Sequence, residues 1–295
     1  MAEITAQLVK QLRDKTNASM MKCKEALVES AGDLEQAETI LRKRGIEGAG
    51  KKASRTAREG VVAAHIVSQG RTGALIEVNC ETDFVAKNER FQRFVADLAA
   101  QAAGSSATGI EALLTESSDS QPGSTVESVV KSAIAELGEN IVLRRLTRFQ
   151  IETGRHGVVA SYIHLHGKVG VLLEVGCEKP ETVTNETFRT FVSDVTLHIT
   201  AAHPACLSRD EVPETLVEKE KEIYREQVTG KPDNIVEKIV QGKLEKFYST
   251  ICLLEQGFIK DPDRTVGELL KATSQAAGDA LSIRRFVRFA VGEDA

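Results

Sequence analysis

The stretch that decides the fold is GVVAAHIVSQGRTGALIEVNCETDFVAKNERFQRFVAD, residues 60–97, because the chain carries it twice. Residues 157–194 read GVVASYIHLHGKVGVLLEVGCEKPETVTNETFRTFVSD, and the two segments align without a gap at an offset of 97 residues. Gly60/Gly157, Gly70/Gly167, Gly73/Gly170, Glu77/Glu174, Cys80/Cys177, Asn88/Asn185, Phe91/Phe188 and Phe94/Phe191 coincide. Self-similarity at a fixed offset marks a duplicated structural unit. Within each copy, apolar runs on either side of a glycine-containing turn predict two strands, followed by a short joint and an amphipathic helix. A third strand is expected to close each copy, in ENIVLRRLTRF (139–149) and DALSIRRFVRF (279–289). The offset there is 140 instead of 97, which leaves 43 extra residues in the second copy. The fold class is therefore α+β, with two subdomains of one design.

Helical signals flank and interrupt this core. Ile4, Leu8, Val9 and Leu12 recur at helical spacing; Ser19 is placed to cap a second helix, and Asp33 with Gln36 to open a third. Gly32 and Gly45 read as helix stops. The expected organisation is a helical module at 1–46, a basic linker at 47–59, core subdomain 1 at 60–150 and core subdomain 2 at 151–295. Inside the latter, ETLVEKEKEIYREQV and NIVEKIVQGKLEKFY flank the turn TGKPD (229–233) and predict an antiparallel helical hairpin, inserted at about 208–256. Leu216, Val217, Ile223, Tyr224 and Val228 are expected to face Val236, Ile239, Val240, Leu244 and Phe247 along a narrow seam of coiled-coil character. Such an arm either touches a partner or is a solvated embellishment.

Composition bounds the function. A chain of 295 residues with 41% hydrophobic and 27% charged residues reads as globular, and a net charge of −5 gives no global attraction to nucleic acid or anionic membrane. No apolar run has bilayer-spanning length, and the N-terminus lacks a basic-then-apolar signal pattern. Five cysteines without a CxxC pair point to free thiols in a reducing, cytoplasmic setting, with no metal site and no cofactor. No long tail is expected after the second copy.

The two copies agree around the joint and differ within it. Thr82, Asp83, Phe84 and Val85 stand where the second copy has Lys179, Pro180, Glu181 and Thr182. A phenyl ring needed as a core plug would be needed twice, so Phe84 is expected to face outward and to serve contact with another protein. Other readings are weaker. GIEGAGKK (45–52) has Lys52 where a phosphate-binding loop needs Ser or Thr, and it follows a helix. Cys80 with His65 could suggest a thiol nucleophile, yet the second copy keeps Cys177 and replaces the histidine by Tyr162. His164 and His166 lack a third ligand for a metal, and Asp83 lacks neighbours. The segment 42–58, with seven basic residues and one acid, offers an alternative as an RNA-binding or structural interaction element, without the interleaved aromatics such a site would use. The recurring Arg144-Arg145 and Arg284-Arg285 read as parts of the core sheet.

TDFVAKNE after a strand ending in EVNCE, together with LVKQLRDKTNASMMKCKEAL, GDLEQA and IRRFVRFAVGE, resembles bacterial translation elongation factor Ts over essentially the whole chain. The resemblance implies a guanine-nucleotide exchange factor, not an enzyme, that binds elongation factor Tu in its GDP-bound and nucleotide-free forms. It further implies that Thr82, Asp83, Phe84 and Val85 displace the partner's Mg²⁺. Arg13, Met20 and Met21 would lie on the surface of the helical module that grips the GTPase domain, one of the methionines being equally suited to the core. His164 would lie near the partner's other domains. No direct contact with nucleic acid or membrane is implied.

Overall fold

The computed structural model describes residues 4–16, 18–50, 52–228 and 231–293, the side chains of 46, 47 and 49 apart. Helices α1 (Ala6–Thr16), α2 (Met20–Glu29) and α3 (Leu34–Gly50) form the N-terminal module. Ser19 Oγ accepts the Lys22 N–H at 3.4 Å and opens α2. Asp33 Oδ1 accepts the N–H groups of Glu35 and Gln36 at 2.9 and 3.0 Å and opens α3. Val9, Leu12, Cys23, Ala26, Leu27 and Ala37 fill the small core between the three helices, with Ile4 and Leu8 packed at its edge.

The first copy runs β1 (Glu59–Val67), β2 (Thr72–Cys80), a single turn α4 (Asp83–Ala86), α5 (Glu89–Gly104), α6 (Ile110–Thr115), α7 (Val126–Leu137) and β3 (Val142–Gln150). The second runs β4 (His156–His164), β5 (Val169–Cys177), α8 (Glu186–Ala202), α9 (Glu214–Glu226), α10 (Asp233–Ile251), the ribbon β6 (Gly257–Phe258) and β7 (Asp261–Thr265), α11 (Val266–Ala277) and β8 (Leu281–Ala290). Each copy makes a three-stranded antiparallel sheet, β1-β2-β3 or β4-β5-β8. The strand pairings repeat, at an offset of 97 for the first two strands and 140 for the third, and both sheets carry an irregularity at the matched step, Glu77/Val78 and Glu174/Val175.

The duplication extends further than the sequence alignment showed. Helices α7 and α11 correspond at the offset of 140: Thr125 and Thr265 cap them, and Gly138 and Gly278 end them in the left-handed region. The longer connection of the second copy thus lies between α8 and Thr265, where α9, α10 and the ribbon stand. Gly45, expected to stop α3, lies inside it, and the helix continues to Gly50. The reason is packing: a Cβ at Gly45 would sit 2.7 Å from Ala135 Cβ on α7, so this glycine serves close helix approach instead of termination.

The two sheets meet face to face through Val62, Leu75, Phe149, Ile151, Val159, Leu172 and Phe289. Contacts occur in exchanged pairs, as an approximate twofold relation between the copies requires. A Cβ at Gly73 would lie 2.9 Å from Val159, and one at Gly170 would lie 2.5 Å from Val62, the matching residue of the first copy. The Arg145 guanidinium lies over the Phe289 ring at 4.4 Å, and that of Arg285 over Phe149 at 4.3 Å. Each arginine is held by a buried glutamate of its own sheet: Arg145 Nε donates to Glu77 at 2.6 Å, Arg285 Nε to Glu174 at 2.7 Å. The paired arginines are therefore structural.

The hairpin has a thin seam. Of the residues expected to form it, only Val240 and Leu244 are fully buried, and Leu216 and Ile223 remain exposed. The Arg225–Glu237 ion pair, at 3.0 Å, and the Lys243 ammonium 5.2 Å from the Tyr224 ring centroid tie its helices together. Thr229 and Gly230, which begin the expected turn, lie outside the described residues. At the root, the fully buried His198 accepts the Ile259 N–H on Nδ1 at 3.2 Å, so Nε2 carries the proton and donates to Gln256 Oε1 at 3.0 Å. The Gln256 amide in turn donates to Ala202 O and Thr250 O, joining α8 to the end of α10.

Two outcomes follow from this packing. Phe91 and Phe188, matched across the copies, are both fully buried, so Phe91→Ala should cost roughly 3–5 kcal/mol in urea denaturation. Burial lowers the His198 pKa from its usual 6.5, and the Gln256 hydrogen bond opposes that shift in part. Its contribution to stability is whole above that pH and is lost as pH falls below it. Denaturation midpoints measured between pH 7.5 and 5 should fall more steeply for the wild-type protein than for His198→Gln.

Candidate protein-interaction site

The joint between β2 and α5 is a clamped turn. Glu139, just before β3, accepts the N–H groups of Glu81 and Thr82 on Oε2, both at 3.0 Å, and the Thr82 hydroxyl on Oε1 at 2.6 Å. Thr82 Oγ1 accepts the Val85 N–H at 3.3 Å and so caps α4. Glu81 Oε1 accepts the Asn140 N–H at 2.6 Å, a second tie to the start of β3. Asn88 caps α5 by accepting the Arg90 N–H at 2.9 Å.

Within the turn, neighbouring side chains diverge by about 100°. Ala86 is buried and Val85 packs against the core of the first copy, which leaves Phe84 directed outward. Its ring is 82% exposed, more than any other large apolar side chain among the described residues. Asp83 pairs with Lys87 at 2.7 Å, and the Lys87 hydrogen bond holds its carboxyl below the usual range. Leaving a phenyl ring in water forfeits about 2 kcal/mol of burial, so the fold itself gains nothing from a ring here.

The second copy keeps the clamp and changes the tip. Asp279, at the place of Glu139, accepts the Lys179 N–H at 3.0 Å and the Thr182 hydroxyl at 2.6 Å. The buried Thr182 stands at the place of Val85, and the exposed Glu181 at the place of Phe84. Glu139 was not singled out by sequence reasoning. The signal was present: an acid directly after a left-handed glycine, before the third strand, in both copies.

The remaining expected site residues lie on separate elements. Arg13 is exposed on α1; Met20 and Met21 are 43% and 66% exposed on α2, so neither belongs to the module core, which takes Cys23, Ala26 and Leu27 instead. His164 is exposed at the end of β4, where its Nδ1 and the Tyr162 hydroxyl share a hydrogen bond at 3.1 Å and the two rings stack at 5.8 Å. Arg13 also lines a cleft between the module and α7, with Lys22, Arg42, Ser132 and Glu136.

The other residues singled out in the sequence take different places. His65 pairs with Ala74 and Cys80 with Glu59, at opposite ends of the β1–β2 ladder. The Cys80 thiol donates to Thr82 O, and burial pushes it up to about 12. Residues 45–50 are helical, and Lys52 donates to Ile134 O at 3.2 Å, so no phosphate-binding loop forms there. In the basic segment, Arg42 donates to Ser124, Arg44 pairs with Glu29, and Arg55 with Glu81. Among the described residues, no group of three or more His, Cys, Asp or Glu is placed to hold a metal ion, and no helix is long and apolar enough to cross a membrane.

Fold and site together define a class: a duplicated α+β core with a helical module, an inserted hairpin and one clamped aromatic turn. The family model described as elongation factor TS matches residues 81–293. Relatives named elongation factor Ts share 44% identity with 98% of the chain in Trichlorobacter lovleyi and with 99% of it in Nostoc punctiforme, covering 93% and 94% of those proteins. That of Nitratidesulfovibrio vulgaris is 43% identical over 99% of the chain and 97% of its own length. The chain belongs to the elongation factor Ts family of translation elongation factors.

The clamp is testable on its own. Glu139→Ala leaves two N–H groups and a hydroxyl without their charged acceptor and should cost about 2–3 kcal/mol. Hydrogen exchange at Glu81, Thr82 and Val85 should accelerate with it. Glu139→Asp should restore most of the protection, since Asp279 serves the same place in the second copy.

Proposed function

We propose that this chain is the guanine-nucleotide exchange factor for elongation factor Tu, acting by inserting Phe84 into the GDP-loaded GTPase and displacing its Mg²⁺. The observation that carries the reading is the Phe84 ring, 82% exposed on a turn fixed by Glu139 and Thr82. A rigidly presented ring loses little conformational freedom on docking, so more of its burial energy is available to deform the partner.

The physical route runs through the metal. Mg²⁺ bridging nucleotide phosphates requires near-ideal octahedral geometry and keeps several of its waters. A phenyl ring wedged between partner elements shifts the groups that order those waters. Asp83, ionised beside Lys87, brings an acceptor that competes for the same donors. Val85 anchors the turn from inside and Thr82 caps it, so all four residues serve one action. Arg13, Met20, Met21 and His164 supply further partner contact, the methionines through adaptable thioether surfaces. Exchange then needs no chemistry in this chain, only differential affinity: the factor weakens GDP binding by the ratio in which GDP weakens its own binding.

The test is release of labelled GDP from elongation factor Tu at catalytic concentrations of this protein. The wild-type protein should accelerate release, and Phe84→Ala should lower the rate roughly tenfold or more while costing under about 0.5 kcal/mol of stability. An unchanged release rate with wild-type protein would end the proposal. A melting temperature that collapses in Phe84→Ala would assign the ring to the protein's own core.

A further inference from the structure

Cys206 and Cys252 are 46 positions apart in the sequence and meet at the root of the helical hairpin, with their Sγ atoms 3.6 Å apart. Their backbones are bridged in parallel. The Leu253 N–H donates to Cys206 O at 2.9 Å, and the Leu254 N–H to Leu207 O at 3.1 Å. Arg209 fastens the same place, pairing with Glu245 and Glu255 and lying 4.5 Å from the Tyr248 ring centroid. The sequence suggested five unrelated free thiols; all five are free, and two of them are neighbours.

We propose that Cys206 and Cys252 form a reversible modification site, an intramolecular disulfide that staples the root of the α9–α10 hairpin when the protein meets a low-molecular-weight disulfide such as oxidised glutathione. Two sulfurs in contact need approach by only about 1.5 Å to reach bonding distance, and bridged backbones lie within the separation a disulfide spans. The other thiols are committed elsewhere. Cys80 and Cys177 donate to carbonyls of their own joints, and Cys23 is buried in the helical module.

Accessibility orders the steps. Cys206 is half-buried and Cys252 fully buried, so the incoming disulfide reaches Cys206 first. Cys206 loses its proton and its sulfur attacks one sulfur of the small disulfide; that S–S bond breaks, and one small thiolate leaves and takes up a proton. Cys252 then loses its proton and attacks Cys206 Sγ, releasing the second small thiol. The protein pair is oxidised by two electrons and the small disulfide reduced by two. Burial pushes both thiols up, Cys252 to about 12, so the pair stays protonated and the reaction is slow at neutral pH. Closure encloses both hairpin helices in one covalent loop, which restricts the unfolded chain.

The experiment incubates the full chain with oxidised glutathione, unfolds it, alkylates it and digests it with trypsin. Two of the five thiols should become unreactive, with the peptide of residues 190–209 joined to that of residues 247–260. Dithiothreitol should restore all five. The oxidised protein should melt roughly 5 °C above the reduced one. Cys206→Ser should melt alike in both buffers. Five alkylated thiols, glutathione retained on Cys206, or a covalent dimer would overturn the proposal; so would a linked protein that melts with the reduced form.

Discussion

The structure depends on the face-to-face contact of two three-stranded sheets. Gly73 and Gly170 allow the approach, and Arg145 and Arg285 reach across it in exchange, each over a phenylalanine of the other copy. Both arginines start from a buried glutamate of their own sheet. Glu174 pairs with both Arg284 and the exposed Arg285, whereas the Arg145–Glu77 pair is buried: it adds little net stability, but removing Arg145 strands a charge and costs about 3–5 kcal/mol. Its value here is in fixing how the copies sit together. β2 and β5, the central strands of their sheets, are buried along nearly their whole length.

The ends of these strands are where the copies part company. Both β2 and β5 lead into a turn closed by a carboxylate, Glu139 or Asp279, from the start of the third strand. Common parts thus hold different tips: a phenyl ring in one copy, a carboxylate in the other. Internal duplication provides a control that a single domain lacks. What the two turns share is what folding requires, and what only the first has is free to serve another molecule. Phe84 belongs to the second category by its exposure as well as by its absence at position 181.

Much of this was legible in the sequence because it is local or periodic. The gapless repeat gave the strands, Ser19 and Asp33 announced their helices, and Phe91 and Phe188 marked the core by recurring. What was not legible depends on tertiary approach. Gly45 looks like a stop until Ala135 is seen against it. The α7–α11 correspondence was hidden because the offset changes before it, and alignment from the third strand backwards would have found it. Glu139 lies 57 residues from Thr82, and Cys206 lies 46 from Cys252, so neither pairing follows from spacing. The hairpin was read correctly as two helices, but its seam is thinner than the apolar pattern suggested, because each helix has one partner and much solvent.

The central claim is that the ring at position 84 itself enters elongation factor Tu while nucleotide is still bound. Replacing Phe84 by a photoreactive benzoyl-phenylalanine and irradiating the complex with GDP-loaded elongation factor Tu measures this most directly. The account predicts a covalent product joined at position 84 to residues of the GTPase near its Mg²⁺, formed by the folded protein at equimolar concentrations. Exchange that proceeds normally with no product from position 84, or with a product mapping far from the nucleotide, would contradict it.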